Sequence, residues 1–187
     1  MRELSLHILD IVQNSITAGA KNIHISIDED TKEDTFKIVI SDDGCGMDKD
    51  TLDNVNNSFA SSRKSRKVGM GIAIFRAAAE LADGYLTIDS SLGKGTVLTA
   101  VFRHSSVDRM PLGNMPDTMM LLIMKSPDTE FFYNHTYNGR EFKFSTVEIK
   151  NILEDVRIDS PEICEYIRDY IKEHLIDLFG GNLDEIS

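Results

Sequence analysis

Glycine-rich turns that interrupt regular apolar patterns constrain the fold of this chain most. Apolar residues alternate with polar ones over residues 21–28 and again over 36–40, which predicts two half-buried strands. The second pattern stops at residues 42–46, of sequence DDGCG, because glycines break a strand. Two further glycine-rich stretches, 67–71 and 93–96, precede a predicted helix and a predicted strand. Glycine at such points lets the backbone approach a neighbour or a ligand closely.

Helical periodicity complements these strands. Leu9, Val12 and Ile16 recur at three- and four-residue spacing, which predicts a helix over residues 5–18 with one apolar face. The other predicted elements of the first half are a short polar helix at 48–55, a long loop at 56–71, a helix at 72–81 and strands at 85–89 and 96–103. Each glycine-rich turn therefore lies where a regular element begins or ends.

The second half of the chain has a different character. Residues 104–117 contain two prolines and little periodicity, which predicts a boundary between a domain at 1–105 and a C-terminal extension at 106–187. In the extension we predict a strand at 119–124, a hairpin around the Asn-Gly pair at 138–139, and two closing helices. The extension forms either a small subdomain or an addition to the first sheet, and the sequence leaves that choice open.

The charge balance limits the function classes. The 187 residues include 31 acidic and 20 basic side chains, for a formal charge of −11. Nucleic-acid and membrane-surface binders need a basic footprint, so this balance argues against both kinds of partner. Cys45 and Cys164 lie far apart without zinc-like spacing, and the N-terminus lacks the apolar core of a signal peptide. These features predict a reduced, cytoplasmic protein.

Polar residues at the turns and on the first helix carry the candidate chemistry. Asp10 and Asn14 share one helical face, where an acid can orient a nucleophile and an amide oxygen can ligate Mg²⁺. Asp42, at the end of a strand, can accept a hydrogen bond from an exocyclic amino group. Gly69 and Gly71 lie just before a helix, where unpaired amide groups attract an anion.

Each of these features alone has an ordinary structural interpretation. The helix pair is compatible with a solvated face, and the aspartate with a turn after a strand. The glycines before the helix fit a flexible loop, and residues 93–96 fit a hairpin turn. A basic cluster at 63–67 favours a phosphate ligand, but taken alone it also fits nucleic acid.

Taken in order, the four features resemble the Bergerat-fold ATP-binding superfamily of gyrase B, heat-shock chaperones, histidine kinases and MutL-type mismatch-repair proteins. The resemblance covers about residues 4–103. It implies an α+β fold in which helices back a mixed β-sheet and a loop closes over ATP as a lid, here followed by a C-terminal α/β extension. The nucleotide-binding residues that it implies are Asn14, Asp42, Gly44, Gly46, Met47, Lys67, Gly69, Gly71 and Thr96, with Asn14 also the Mg²⁺ ligand.

Two positions depart from the family pattern. Asp10 falls where gyrase and MutL carry the catalytic glutamate, which makes it the candidate catalytic residue. Aspartate is one methylene shorter, which sets its carboxylate back by roughly 1.5 Å. A displacement of that order costs ~100-fold in rate. Lys67 stands where histidine kinases usually have another glycine.

The two parts of the resemblance point to different branches. Residues 14–20 and 59–64 are similar to MutL-type sequences, whereas 69–74 and 92–96 are similar to histidine kinases and anti-sigma kinases. Too little chain follows for the large transducer domain of MutL, so the kinase-like branch is favoured. We expect a stand-alone cytoplasmic ATP·Mg-binding regulator that phosphorylates a partner protein or changes its affinity for one. The alternative is a MutL- or gyrase-like ATPase with ATP-driven lid closure, with or without a link to DNA.

Phosphorylation of a histidine within the chain has few candidate positions. Only nine residues precede Asp10, so we expect no helical phosphoacceptor hairpin ahead of the ATP-binding domain. His7 is predicted to lie on the helix surface, and His24 to point outward from a strand. His174, on the last predicted helix, is the remaining candidate acceptor, although a solvated helix position is the more ordinary interpretation.

Overall fold

The computed structural model describes residues 3–57, 70–154 and 156–181. The helices in these ranges are α1 Leu4–Thr17, α2 Lys49–Asn57, α3 Met70–Leu81, α4 Met115–Lys125, α5 Thr146–Leu153 and α6 Pro161–Leu178. The strands are β1 Asn22–Asp30, β2 Thr35–Asp42, β3 Tyr85–Ser91, β4 Gly95–Arg103, β5 Glu130–Tyr137 and β6 Arg140–Ser145. The α+β fold with a mixed sheet, predicted from the sequence, is confirmed.

The six strands form one sheet in the order β3-β4-β2-β1-β5-β6. Neighbours are antiparallel except for β1 and β5, which run parallel and place Ile25 opposite Tyr133. A parallel pair needs a crossover connection, and α4 lies in the segment that leads into β5. The second half of the chain therefore extends the first sheet, which was one of the two arrangements left open above.

One face of the sheet carries the core. Ile25, Ile38 and Phe102 are among its fully buried side chains, and each such burial stabilises the fold by about 1.5–3 kcal/mol. Helices α3, α1 and α6 contact the sheet, and α4 packs against both α1 and α6. No helix in the described ranges is long and apolar enough to cross a bilayer.

A buried polar chain joins the second half to the first. The hydroxyl of Tyr133 lies 2.8 Å from Nδ1 of His135, and Nε2 of His135 lies 2.8 Å from Oε1 of Glu29. With Nε2 donating to the carboxylate, Nδ1 accepts from the tyrosine, so the three buried groups satisfy one another. The Phe179 ring, beyond α6, packs nearly perpendicular to the His135 ring at a centroid distance of 5.3 Å.

The predicted strand at 119–124 is wrong, because these residues belong to α4. The side chain of Asn114 accepts a hydrogen bond from Asp117 N at 2.9 Å and caps the helix, and Pro116 occupies its first turn. A short continuous apolar run fits a buried strand and a buried helix equally well. The cap and the proline decide between them here.

The two histidines of the first elements behave differently. His24 is exposed as predicted, and its ring stacks on Phe132 at 4.3 Å. The predicted surface position of His7 is wrong, since only 1% of this residue is exposed. Helix α3 covers His7, and the His7 ring lies parallel to the ring of Phe75, which belongs to α3, at a centroid distance of 5.0 Å. Burial lowers the pKa of His7 and favours its neutral form.

Candidate functional site

The inner face of the sheet ends in a polar row. Asp42 on β2 pairs with Thr96 on β4, and Thr96 pairs in turn with Ser90 on β3. The next row inward is apolar and consists of Ile40, Leu98 and Ile88. The apolar core therefore gives way to polar side chains within one row, at the end of the strands.

A cavity of about 300 Å³ opens over these two rows, within the range of small-ligand sites. Apolar side chains and backbone supply most of its wall, with a few polar groups at one end. Its described lining residues are Ile11, Asn14, Ser15, Thr17, Ala18, Ile40, Asp42, Cys45, Gly46, Met47, Val55, Ile72, Ile88, Thr96 and Leu98. Of the sequence-predicted site residues, this cavity brings together Asn14, Asp42, Gly46, Met47 and Thr96.

The carboxylate of Asp42 is held in a fixed orientation. Its Oδ2 accepts a hydrogen bond from Ser15 Oγ at 2.6 Å, and its Oδ1 accepts one from Gly44 N at 2.9 Å. A carboxylate oxygen has two lone-pair sites, so each oxygen retains one for a ligand. The arrangement presents a pure acceptor beside an apolar floor, which suits a flat heterocycle that carries an amino group.

The neighbouring Asp43 binds the start of β1 and does not line the cavity. Its carboxylate accepts from Lys21 N at 2.7 Å, from Asn22 N at 2.9 Å and from Asn22 Nδ2 at 2.7 Å. The hydrogen bond from the Asn22 side chain, with those from the backbone, lowers the pKa of Asp43. Asp43 thus fixes the turn to the start of β1, and Asp42 is the aspartate of the pair that faces the cavity.

Glycine is required in this turn by the packing of backbone on backbone. Gly46 has φ +63°, and a Cβ there would overlap the carbonyl oxygen of Ser91. Gly95 has φ +90°, and a Cβ there would overlap the carbonyl oxygen of Asp42. Gly44 is buried, and its Cβ would meet the Asp42 carboxylate at 3.0 Å. The turn at 42–46 and the β3–β4 hairpin therefore interlock.

Asp10 and Asn14 are both exposed on α1, as their spacing predicts. Asn14 lines the cavity, whereas Asp10 lies beyond it, and Oδ2 of Asp10 occupies the place of a side chain on Gly71. Gly71 is in the first turn of α3, where the helix dipole stabilises a negative charge. The predicted phosphate-binding residues Lys67 and Gly69 lie outside the described residues.

Two hydroxyl residues of the site were not found from the sequence. Ser15 fixes Asp42, and Ser90 accepts from Met47 N at 2.9 Å while lying 3.0 Å from Thr96 Oγ1. Ser15 directly follows Asn14, so it faces the sheet when Asn14 faces outward. Ser90 is the third inward position of β3, after Leu86 and Ile88. The register of the predicted hairpin would have placed it beside Thr96.

A family model described as "Histidine kinase-, DNA gyrase B-, and HSP90-like ATPase" matches residues 2–106. The chain is 24% identical over 102 residues to histidine protein kinase DivJ of Caulobacter vibrioides, which covers 52% of this chain and 17% of DivJ. It is 32% identical over 97 residues to heme sensor protein HssS of Staphylococcus saprophyticus, covering 51% of this chain and 20% of HssS.

Sensor histidine kinase WalK of Bacillus subtilis is 31% identical over 97 residues, which cover 48% of this chain and 16% of WalK. The chain thus spans a fifth or less of the length of these relatives. A crystal structure of the N-terminal domain of a DNA repair protein has 14% sequence identity and a TM-score of 0.49, covering 76% of this chain and 52% of that one.

Proposed function

Because this chain belongs to the family of histidine kinase-, DNA gyrase B- and HSP90-like ATPases, we propose that it binds ATP with Mg²⁺ and regulates a partner protein. The regulation is either transfer of the γ-phosphate to the partner or a change of affinity for it as ATP binds. The orientation of the Asp42 carboxylate over the apolar cavity is the observation that carries this proposal. We propose that this chain acts in the cytoplasm, as a stand-alone protein, on a protein partner.

The cavity fits an adenine base. Ile40, Leu98 and Ile88 provide an apolar surface of the kind on which a purine ring packs. Asp42 retains free acceptor sites for the exocyclic amino group, and Thr96 lies beside it on the neighbouring strand. We propose that these residues, with Gly44, Gly46 and Met47 of the adjoining turn, hold the base.

The phosphates and metal would lie toward α1 and α3. Asn14 is exposed at the cavity wall and offers an amide oxygen, a ligand type that Mg²⁺ accepts. Mg²⁺ usually takes few protein ligands and several from phosphates and water, so a single amide suffices. Gly71 lies in the first turn of α3, where a helix N-terminus attracts an anion, and we propose it as a phosphate contact together with Lys67 and Gly69.

Relatives named as histidine kinases favour phosphoryl transfer as the outcome. His174 is half-buried on α6, its Nδ1 lies 2.8 Å from the carbonyl oxygen of Tyr170, and its ring packs against Phe142 at 5.1 Å. With Nδ1 donating to that carbonyl and the ring enclosed on one side, the position fits a packed helix residue. We therefore place the phosphoacceptor on a partner.

One observation favours ATP hydrolysis as the second candidate function. The Asp10 carboxylate lies against the first turn of α3 and one helical turn from Asn14, the proposed Mg²⁺ ligand. An acid placed there can orient a water molecule toward a bound phosphate. The shorter side chain of aspartate predicts slow hydrolysis.

Labelled ATP separates these functions. The purified chain is incubated with Mg²⁺ and γ-labelled ATP, alone and with co-purified binding partners, while bound nucleotide, released phosphate and labelled protein are followed. Label on a partner supports the kinase function. Release of phosphate that falls in Asp10→Ala, but not in the exposed control Gln13→Ala, supports hydrolysis. Absence of ATP binding by the wild-type chain contradicts the whole proposal.

A further inference from the structure

The hydroxyl group of Ser90 lies behind the wall of the cavity and makes three hydrogen-bond contacts. Its Oγ accepts from Met47 N at 2.9 Å, donates to the Gly95 carbonyl oxygen at 2.9 Å, and lies 3.0 Å from Thr96 Oγ1. A serine hydroxyl has one proton and two acceptor sites. The Gly95 carbonyl can only accept and Met47 N can only donate, so all three contacts are hydrogen bonds only if Ser90 donates to Gly95 and Thr96 donates to Ser90. The proton of Thr96 therefore points away from the cavity.

The other hydroxyl groups of the cavity wall also give their protons to the protein. Ser15 donates to Asp42 at 2.6 Å, and Thr17 donates to the Gln13 carbonyl oxygen at 2.8 Å. Among the described lining residues, no hydroxyl proton is thus left for a ligand. The polar row at the end of the sheet presents only acceptors, which are the carboxylate of Asp42 and the oxygen of Thr96.

We propose that Ser90 is a positioning residue that determines base specificity. Ser90 keeps the Thr96 hydroxyl proton turned away from the cavity, so Thr96, like Asp42, offers only acceptors to a ligand. These two residues therefore favour a base that presents an amino group to them. A base with a carbonyl oxygen at that edge places lone pairs against lone pairs and leaves buried polar groups unpaired, which costs affinity. This inference rests on the proposed placement of adenine at Asp42.

The test compares ATP with inosine triphosphate, in which a carbonyl oxygen replaces the amino group of adenine and N1 carries a proton; the N1–H is the same for every variant, so a change in the ratio between variants reports on Ser90 and Thr96. Titration calorimetry with each Mg·nucleotide gives the ratio of the two dissociation constants for the wild-type chain and for Ser90→Ala. Without Ser90, the Thr96 hydroxyl rotates and donates into the cavity. We expect the preference for ATP over inosine triphosphate to fall by about fivefold to tenfold, as one misplaced neutral hydrogen bond allows.

Matched variants separate this effect from damage to the strand. Ser91→Ala, at the exposed next position, should retain the wild-type ratio, and so should Ser90→Thr, which keeps a hydroxyl. A variant with a smaller folded fraction binds fewer molecules of both nucleotides, but the ratio of its dissociation constants does not change. In a Thr96→Val background, which has no hydroxyl to orient, Ser90→Ala should no longer alter the ratio.

The outcomes also distinguish this inference from the proposed function. A wild-type ratio in folded Ser90→Ala, or an equal change in Ser91→Ala, overturns the role of Ser90 even if ATP binding depends on Asp42. Failure of the wild-type chain to bind ATP, or ATP affinity unchanged in Asp42→Asn, overturns the adenine placement and the inference with it. A fall confined to Ser90→Ala and abolished in the Thr96→Val background establishes it.

Discussion

The change Asp42→Asn tests the adenine assignment at a single pair of atoms. In the wild-type chain both carboxylate oxygens accept from protein donors, Ser15 Oγ at 2.6 Å and Gly44 N at 2.9 Å. An asparagine side chain has one oxygen and one NH₂ group, so with its oxygen on Gly44 N the Ser15 hydroxyl would have to turn and accept from the amide. The amide also cannot offer acceptors at both atoms to an amino group of a ligand.

The expected loss follows from the hydrogen bond removed. A hydrogen bond to a charged group contributes about 1.5–3 kcal/mol, which corresponds to a loss of ATP affinity of roughly 10- to 150-fold. Replacing the charged acceptor by a neutral amide also weakens the hydrogen bonds of Ser15 and Gly44, which lowers folding stability by about 1–2 kcal/mol. The variant should therefore bind ATP weakly and unfold at a lower temperature, while it stays folded at 10–20 °C.

The assay is calorimetric titration with Mg·ATP at low temperature, after circular dichroism confirms that the variant is folded. Asp89→Asn is the matched control, because Asp89 is an exposed aspartate on β3 that does not line the cavity. Ser15→Ala keeps the carboxylate but frees it to rotate, so a smaller loss of about 2- to 10-fold is expected. ATP affinity within twofold of wild type in folded Asp42→Asn would show that Asp42 does not bind the adenine.

Three further predictions address the metal, the cavity mouth and the turn. Asn14→Ala should remove the dependence of ATP affinity on Mg²⁺, measured by titration with and without chelator; a retained dependence would identify another ligand. Cys45 is exposed at the cavity, whereas Cys164 is buried and burial raises the pKa of its thiol, so Cys45 should be the cysteine that reacts with an alkylating reagent. Bound ATP should slow the alkylation of Cys45. Equal labelling with and without ATP, measured by mass spectrometry, would contradict this. Gly46→Ala should lower the free energy of unfolding in urea by about 2–4 kcal/mol, because its positive φ strains an alanine and its Cβ would overlap the β3–β4 hairpin. Gly139→Ala has a positive φ but open space around it, so it should cost about 1 kcal/mol. Equal losses in the two variants would argue against the interlocked turn.

Local patterns were sufficient to predict most elements. The alternation in β1 and β2 and the Asn-Gly turn between β5 and β6 predicted strands that the structure contains. These signals are local, since they depend on periodicity or on one turn type. The helix α4 was missed because a continuous apolar run has no period to read, and its cap at Asn114 is a single polar residue.

Contacts between elements were beyond the sequence patterns. The position of Asp42 follows from the end of β2, but its orientation depends on Ser15, which lies 27 residues earlier on α1. Burial of His7 depends on α3, which begins more than 60 residues later. The C-terminal half extends the first sheet because β5 pairs with β1. These strands are about 100 residues apart in the sequence, so no local pattern predicts their pairing.

Above all, we propose that Asp42 and its neighbours at the end of the sheet hold the adenine of ATP. A crystal structure of this chain with Mg²⁺ and a non-hydrolysable ATP analogue tests it most directly. We expect the exocyclic amino group within hydrogen-bond distance of an Asp42 oxygen, with the ring over Ile40, Leu98 and Ile88. A base bound elsewhere, or a cavity left empty at saturating nucleotide, would contradict it.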